Sequence, residues 1–236
     1  MVTVSKRMEE VISLVSKGKR VADIGTDHGY VAIALVERKI SPFVVAMDVR
    51  KGPLSKAKEN IEKYGFVQEI DTRLSDGLEK LKIGEVDTFL IAGMGGELIT
   101  NILQKGVEVV NSVNEFIVQP QSEIYKVRKK IHELGFQIEK EKMLVEDEKY
   151  YTVIKAVRGK ESYENEWDYL YGKCLLQEKN SILYEWLQKE YQLREKLYNK
   201  LETLTSANTE DRKKELMQEM KMIKGALQYY EIKGID

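Results

Sequence analysis

The chain of 236 residues has a single cysteine, Cys174, so no disulfide can close within it, and only three prolines and two histidines. Without paired cysteines or clustered histidines the ligand spacings of protein metal sites are missing, and no metal is expected. No run of eighteen apolar residues occurs, which removes any candidate for a membrane-spanning helix. The opening residues, with polar Thr3, Ser5 and Lys6, lack the apolar core of a signal peptide, so a cytoplasmic location is expected. Neither sign of charge dominates: 38 basic residues meet 39 acidic ones, for a net charge of −1. That excludes a global electrostatic pull toward nucleic acid. Residues 1–160 carry net +2 and the remainder net −3, so a polyanion must be met by local patches. Lys17 with Lys19 and Arg20, Arg50 with Lys51, Lys56 and Lys58, and Lys126 with Arg128, Lys129 and Lys130 are the available ones. What the chain does have is 42% hydrophobic residues, enough for a sizeable core, and 33% charged residues, which points to a long solvated helical segment.

Two rhythms divide the chain. From Arg20 to about Arg158, short apolar runs alternate with helical stretches. Arg20–Ile24, Phe43–Met47, Val67–Arg73, Val86–Ile91 and Glu115–Val118 are predicted as strands, most of them apolar on both faces as buried parallel strands are. Helices are predicted over Tyr30–Lys39, over Pro53–Tyr64 with Pro53 at the first helical position, over Glu97–Gln104, and over Ser122–Leu134 up to Gly135. Strand alternating with helix implies a parallel sheet. Phe136–Val145 and Tyr150–Val157, joined by Glu146-Asp-Glu-Lys149, then predict a closing hairpin. Six strands and a reversed seventh form the sheet of Rossmann-like methyltransferases; a dehydrogenase sheet needs no such hairpin. From Tyr163 onward strands vanish. Leu183, Leu187, Leu197, Leu201 and Leu204 keep steps of four and three, with Glu190 and Arg194 filling two positions, and after the polar break Thr205–Thr209 the steps resume at Leu216, Met220, Ile223, Leu227 and Tyr230. This predicts an antiparallel helical hairpin of coiled-coil type, its second helix starting at Thr209. The expected division is a catalytic domain over 1–160 and a helical domain over 161–236.

The chemistry concentrates where strands end. In Val21-Ala-Asp-Ile-Gly-Thr-Asp-His-Gly-Tyr30 a strand runs into glycines at Gly25 and Gly29 and then a helix. The dinucleotide fingerprint differs: it spaces three glycines to aim a helix at pyrophosphate. Here Asp23 and Asp27 would repel a pyrophosphate. Two carboxylates suit a ligand bearing an ammonium and a sulfonium, which is S-adenosylmethionine. Asp48 ends the second strand, 19 residues after Gly29, where a carboxylate can accept from both ribose hydroxyls. In Ser75-Asp-Gly-Leu78, Asp76 can accept from an adenine amine while Gly77 avoids a clash. Ala92-Gly-Met-Gly-Gly96 follows the fourth strand, and Gly93, Gly95 and Gly96 would let a flat base approach the backbone. An Asn or Asp followed by two prolines and an aromatic, usual where an exocyclic amine is methylated, is missing. The acceptor atom is therefore expected to be nucleophilic already.

Asp-Ile-Gly-Thr-Asp-His-Gly-Tyr at 23–30, Ser-Asp-Gly-Leu at 75–78 and Ala-Gly-Met-Gly-Gly at 92–96 resemble the bacterial tRNA adenine-N1-methyltransferase family, TrmK-type, which modifies adenine 22 of tRNA. The N-terminal Ser5-Lys-Arg-Met8 and the C-terminal helical hairpin extend the resemblance over essentially the whole chain. It implies cofactor contacts at Asp23, Gly25, Asp48, Asp76 and Gly77, and acceptor-side positions at Asp27 and residues 93–96. Gly29 and Gly93 complete the cofactor set, and His28, Tyr30 and Met94 are expected beside the acceptor base. Asp27 is the expected catalytic group, accepting from the adenine amine and offsetting the positive charge of the product base. The target base must be extruded to reach the pocket. No obligate protein partner is evident. Two other functions fit the residues: a small-molecule methyltransferase whose hairpin drives oligomerisation, and a non-catalytic RNA-binding protein.

Overall fold

A computed structural model of the chain describes residues 2–202 and 207–231. The chain forms two compact units, Met1–Ser162 and Tyr163–Asp236. The first contains, in order, α1 (Lys6–Ser13), β1 (Val21–Ile24), α2 (Tyr30–Glu37), β2 (Val44–Asp48), α3 (Lys51–Tyr64), β3 (Ile70–Leu74), β4 (Thr88–Met94), α4 (Gly96–Lys105), α5 (Val107–Val110), β5 (Glu115–Pro120), α6 (Ile124–Glu133), β6 (Phe136–Glu146) and β7 (Lys149–Arg158). The seven strands make one sheet in the order β3-β2-β1-β4-β5-β7-β6. β7 runs antiparallel to both β5 and β6, so the closing hairpin supplies the one reversed strand.

β1, β2 and β5 are buried along their whole length, as strands covered on both faces must be. The core below the sheet's far half is aromatic: Phe89 stacks on Phe116 at 5.0 Å between centroids, and Phe116 meets Phe136 edge-on at 4.8 Å. Arg128, placed by the sequence in a basic patch, is instead 1% exposed and donates from Nε to Glu141 Oε1 at 2.7 Å, tying α6 to the edge strand β6. α3 starts two residues early, which makes Pro53 the third helical residue; its missing N–H still falls in the first turn, where none is needed. α6 begins at Ile124, after Glu123 in the left-handed region at φ 48°. β3 starts at Ile70, three residues later than its apolar pattern suggests.

The strand order reverses at β1: β2 and β3 lie to one side of it, β4 and β5 to the other. Loops leaving β1 and β4 therefore diverge, opening a crevice at the carboxyl ends of the strands.

The second unit is helical throughout its described residues: α7 (Glu166–Tyr171), α8 (Lys173–Gln177), α9 (Ser181–Glu202) and α10 (Ala207–Leu227). α9 and α10 form the predicted hairpin; residues 203–206, with Leu204 of the predicted seam, lie outside the described residues. The helix is already formed at Ala207, before the predicted start at Thr209. Leu183, Leu187, Leu216 and Ile223 are buried, whereas the seam position Leu197 is 38% exposed. Toward the turn the ion pairs of Arg194 with Glu190 and Glu219 hold the helices instead. At the other end Asp168, 2% exposed, accepts from Tyr229 Oη at 3.0 Å.

Candidate active site

The crevice at the strand ends is a cleft of about 700 Å³ within the first unit. Ten of the thirteen residues singled out from the sequence line it: Asp23, Gly25, Asp27, His28, Tyr30, Asp48, Asp76, Gly77, Gly93 and Met94. They come from four strand ends far apart in the chain, and the parallel sheet places all four on one edge.

Asp23 is the most constrained. It is 4% exposed, and Thr26 Oγ1 donates to its Oδ2 at 2.7 Å. Burial raises its pKa from 3.8 to about 6, against the lowering effect of Thr26 and with a further upward push from the charge of Asp48. Such a group gains most from a cation placed beside it. Gly25, at φ +80°, starts the turn, and a side chain here would collide with the Met94 methyl group. The N–H groups of Gly25 and Thr26 both donate to Met47 O, at 2.8 and 2.9 Å, locking the loop to the end of β2.

Residues Asp27–Gly29 form one 3₁₀ turn, with His28 in the left-handed region at φ 59°. That conformation is uncommon outside glycine. It is held by Asn60 on α3, buried to 7% exposure, whose Nδ2 donates to His28 O at 2.9 Å. The turn pushes the Asp27 and His28 side chains outward: 70% and 48% exposed, with His28 Nε2 3.4 Å from Asp27 Oδ1.

Asp48, 5% exposed, accepts from the Arg50 N–H at 2.7 Å through Oδ1. Asp76 is more open, 54% exposed, with Lys105 Nζ 3.9 Å away. The buried Ser75 hydroxyl donates to Gly77 O at 3.0 Å and accepts from Lys80 N–H at 3.1 Å, so the 75–80 turn is braced from inside.

Three of the predicted residues do not line the cleft. Gly29 packs on Ala57, where an added Cβ would stand 3.2 Å from the alanine methyl. Gly95 caps α4, with Ser122 Oγ 3.3 Å from where its Cβ would be. Gly96 is buried as the first residue of α4, its N–H donates to Ser122 O at 3.1 Å, and a side chain would collide with that carbonyl. These glycines let segments approach one another rather than a ligand.

Other lining residues escaped the sequence reading: Arg7 and Met8 from α1, Val49, Leu98 and Ile102 from helices and loops, and Gln121 after β5. Beneath them Gln119 is completely buried, its Oε1 accepting from Gly93 N–H at 3.0 Å and from Arg7 Nη1 at 3.0 Å. The available signal was a glutamine at the end of a strand otherwise apolar enough for the core.

The sheet and a cleft edged by carboxylates at successive strand ends define a methyltransferase domain, and residues 4–154 match the family model described as a methyltransferase domain. The tRNA (adenine(22)-N(1))-methyltransferase of Bacillus subtilis (strain 168) is 32% identical over 233 residues, 95% of this chain and 97% of the relative. Among solved structures, Streptococcus pneumoniae Sp1610 in complex with S-adenosyl-L-methionine superposes with a TM-score of 0.81 at 32% identity, over 95% of this chain and 100% of that one. M. capricolum TrmK in complex with S-adenosyl-homocysteine gives a TM-score of 0.83 at 27% identity, over 97% and 99%. The chain belongs to the tRNA (adenine(22)-N(1))-methyltransferase family.

Among the described residues no group of acidic, histidine or cysteine side chains could hold a metal ion. No described helix is long and apolar enough to cross a membrane.

Proposed function

We propose that this chain transfers a methyl group from S-adenosylmethionine to N1 of adenine 22 in tRNA. The observation that carries the reading is the meeting of a buried carboxylate, Asp23, with the side-chain-poor Gly93–Met94 segment across one cleft. The residues fit the donor. Asp23 compensates a cationic group, Asp48 accepts from ribose hydroxyls, Asp76 accepts from the adenine amine, Gly25 and Gly77 let Met94 and Ile102 of the cleft wall close on these turns, and Gly93 leaves its backbone bare at the cleft edge. Bound S-adenosylmethionine supplies an electrophilic methyl group on a sulfonium.

The N1 lone pair of adenine lies in the ring plane and carries no proton, so the site has to position it rather than deprotonate it. This agrees with a 93–96 segment that offers no carboxylate. As the base becomes cationic, Asp27, exposed at the mouth beside His28, offsets the charge. Tyr30, His28 and Met94 form the walls that receive the extruded base, with Tyr30 38% exposed. Gly29, Gly95 and Gly96 support these segments from behind.

The helical unit is assigned to tRNA contact. Lys189, Arg194, Lys196, Lys200 and Lys213 are the basic residues of α9 and α10 first considered for its phosphate contacts. Arg194 is engaged with Glu190 and Glu219, and Lys213, 14% exposed, with Glu210 at 2.7 Å. Lys221 and Lys224 instead border a groove of about 380 Å³ with Trp167, Tyr191 and Met217. Cations beside aromatic rings suit a phosphate and an unstacked base. A tRNA substrate supports a cytoplasmic location.

Mass spectrometry of nucleosides from tRNA incubated with the protein and cofactor tests this reading. It should yield 1-methyladenosine from transcripts with adenine at position 22 and none when that base is changed. Methylation of another atom, or of small metabolites in preference to tRNA, would overturn it.

A further inference from the structure

β4 and β5 pair in register up to Ala92 opposite Gln119, and the next pair is Met94 opposite Pro120. Gly93 is thus an extra residue in the ladder, a β-bulge at the edge of the cleft, with φ +77°. Bulges leave a backbone group unpaired, and here it is the Gly93 N–H, a donor that needs an acceptor. Here a side chain closes the gap. Gln119 Oε1 accepts from Gly93 N–H at 3.0 Å, while Gln119 Nε2 donates to Pro120 O at 3.1 Å. Gln121 N–H then donates to Met94 O at 2.9 Å, and the regular pairing ends there.

The same oxygen accepts from Arg7 Nη1 at 3.0 Å. Arg7 reaches it from α1, more than a hundred residues away in the chain, with its guanidinium 5.0 Å above the ring centre of Tyr151 on β7. Nη1 would lie only 3.5 Å from a Cβ built on Gly93, so the guanidinium covers the bulge from the cleft side. One buried carboxamide oxygen therefore joins the N-terminal helix to the segment that faces the acceptor base.

We propose that Gln119 is a positioning residue for methyl transfer: it sets the Gly93–Met94 segment in place, and Arg7 locks it. The proposal rests on the reading of this cleft as the methyl-transfer site. Neither residue needs to touch the reacting atoms. Asp48, which ends β2, and Asp76, in the turn after β3, do not depend on the bulge, so cofactor affinity should respond far less than chemistry.

The test is single-turnover methylation of tRNA at saturating S-adenosylmethionine, with cofactor affinity from calorimetry and folding from circular dichroism. Gln119→Leu should weaken cofactor binding by no more than a few-fold, through Gly93 alone, and lose about 30- to 100-fold in rate, the scale of a misplacement near 1 Å. Gln119→Glu retains an acceptor for Gly93 N–H and Arg7 but turns its second oxygen toward Pro120 O, and should recover part of that loss, at least several-fold. Arg7→Met, a change on a surface helix, should reduce the rate in the same direction, and adding it to Gln119→Leu should cost little more, because both act through one contact. Wild-type rates in Gln119→Leu or in Arg7→Met overturn the proposal. So does additivity in the double variant, or a loss confined to cofactor affinity, which would make Arg7 a cofactor contact. A Gln119→Leu protein that does not fold leaves Arg7→Met and Gln119→Glu to decide by the same criteria. If the wild-type protein itself fails to methylate tRNA, the functional reading fails rather than the latch.

Discussion

Asp23→Asn should make the ligand-free protein more stable at neutral pH while abolishing its affinity for S-adenosylmethionine. The native pKa of Asp23 is about 6, against 3.8 for a solvated aspartate, chiefly because burial disfavours its charge. Between those two values the folded chain holds more protons than the unfolded one, so stability falls as pH rises through this window and levels off above it. About two units at 1.36 kcal/mol per unit amounts to roughly 3 kcal/mol of destabilisation at neutral pH, fully relieved only below the unfolded value. Asparagine carries no charge to bury and still offers an oxygen to Thr26, so the variant should recover most of that energy. For a protein of this length the gain corresponds to roughly 6–12 °C in Tm. Thermal unfolding of both proteins without cofactor, at pH 5 and pH 8, measures it: the gap at pH 5 should be about half of that at pH 8. Calorimetry at pH 8 should show cofactor binding only to the wild type, whose affinity should fall about tenfold per pH unit below pH 6 as Asp23 takes up a proton. A variant that is less stable than wild type at pH 8, or that binds the cofactor equally well, would refute the assignment of Asp23 as a cation-seeking buried carboxylate.

Asp48→Asn should weaken S-adenosylmethionine binding by about tenfold or more, since charge-assisted hydrogen bonds contribute roughly 1.5–3 kcal/mol; unchanged affinity by calorimetry would remove Asp48 from the site. Asp27→Asn should lower the single-turnover rate more than cofactor affinity, because its interaction strengthens as the base gains charge; a wild-type rate would make it a loop residue only. A chain ending at Ser162 should still bind cofactor, as every cleft residue precedes that point, but lose most tRNA methylation. Filter binding should show the same loss of tRNA affinity in Lys221→Glu/Lys224→Glu, with a shallower salt dependence; unchanged tRNA affinity together with a dimer-to-monomer change on truncation would mark the helical unit as an oligomerisation element.

What the amino-acid sequence determined by itself is what local chemistry dictates. Strands buried on both faces must be apolar throughout, so the runs at Val21–Ile24 and Val44–Asp48 declared themselves, and the hairpin of β6 and β7 followed from two alternating runs around a polar turn. Carboxylates at or just past the ends of such strands had to reach one sheet edge, which located Asp23, Asp48 and Asp76. The glycine-rich motifs were legible too, but composition could not say which glycines face a ligand and which face protein. Packing against Ala57 and Ser122 decided that for Gly29, Gly95 and Gly96. Tertiary structure alone joined Arg7 to Gln119 and Asn60 to His28, contacts between residues remote in sequence that leave no periodic trace. It also removed Arg128, Arg194 and Lys213 from the list of outward cations by pairing each with a carboxylate. A charged side chain reads the same in sequence whether it meets water or a partner; only the fold brings the partner within 4 Å, where desolvation and Coulomb attraction settle its role.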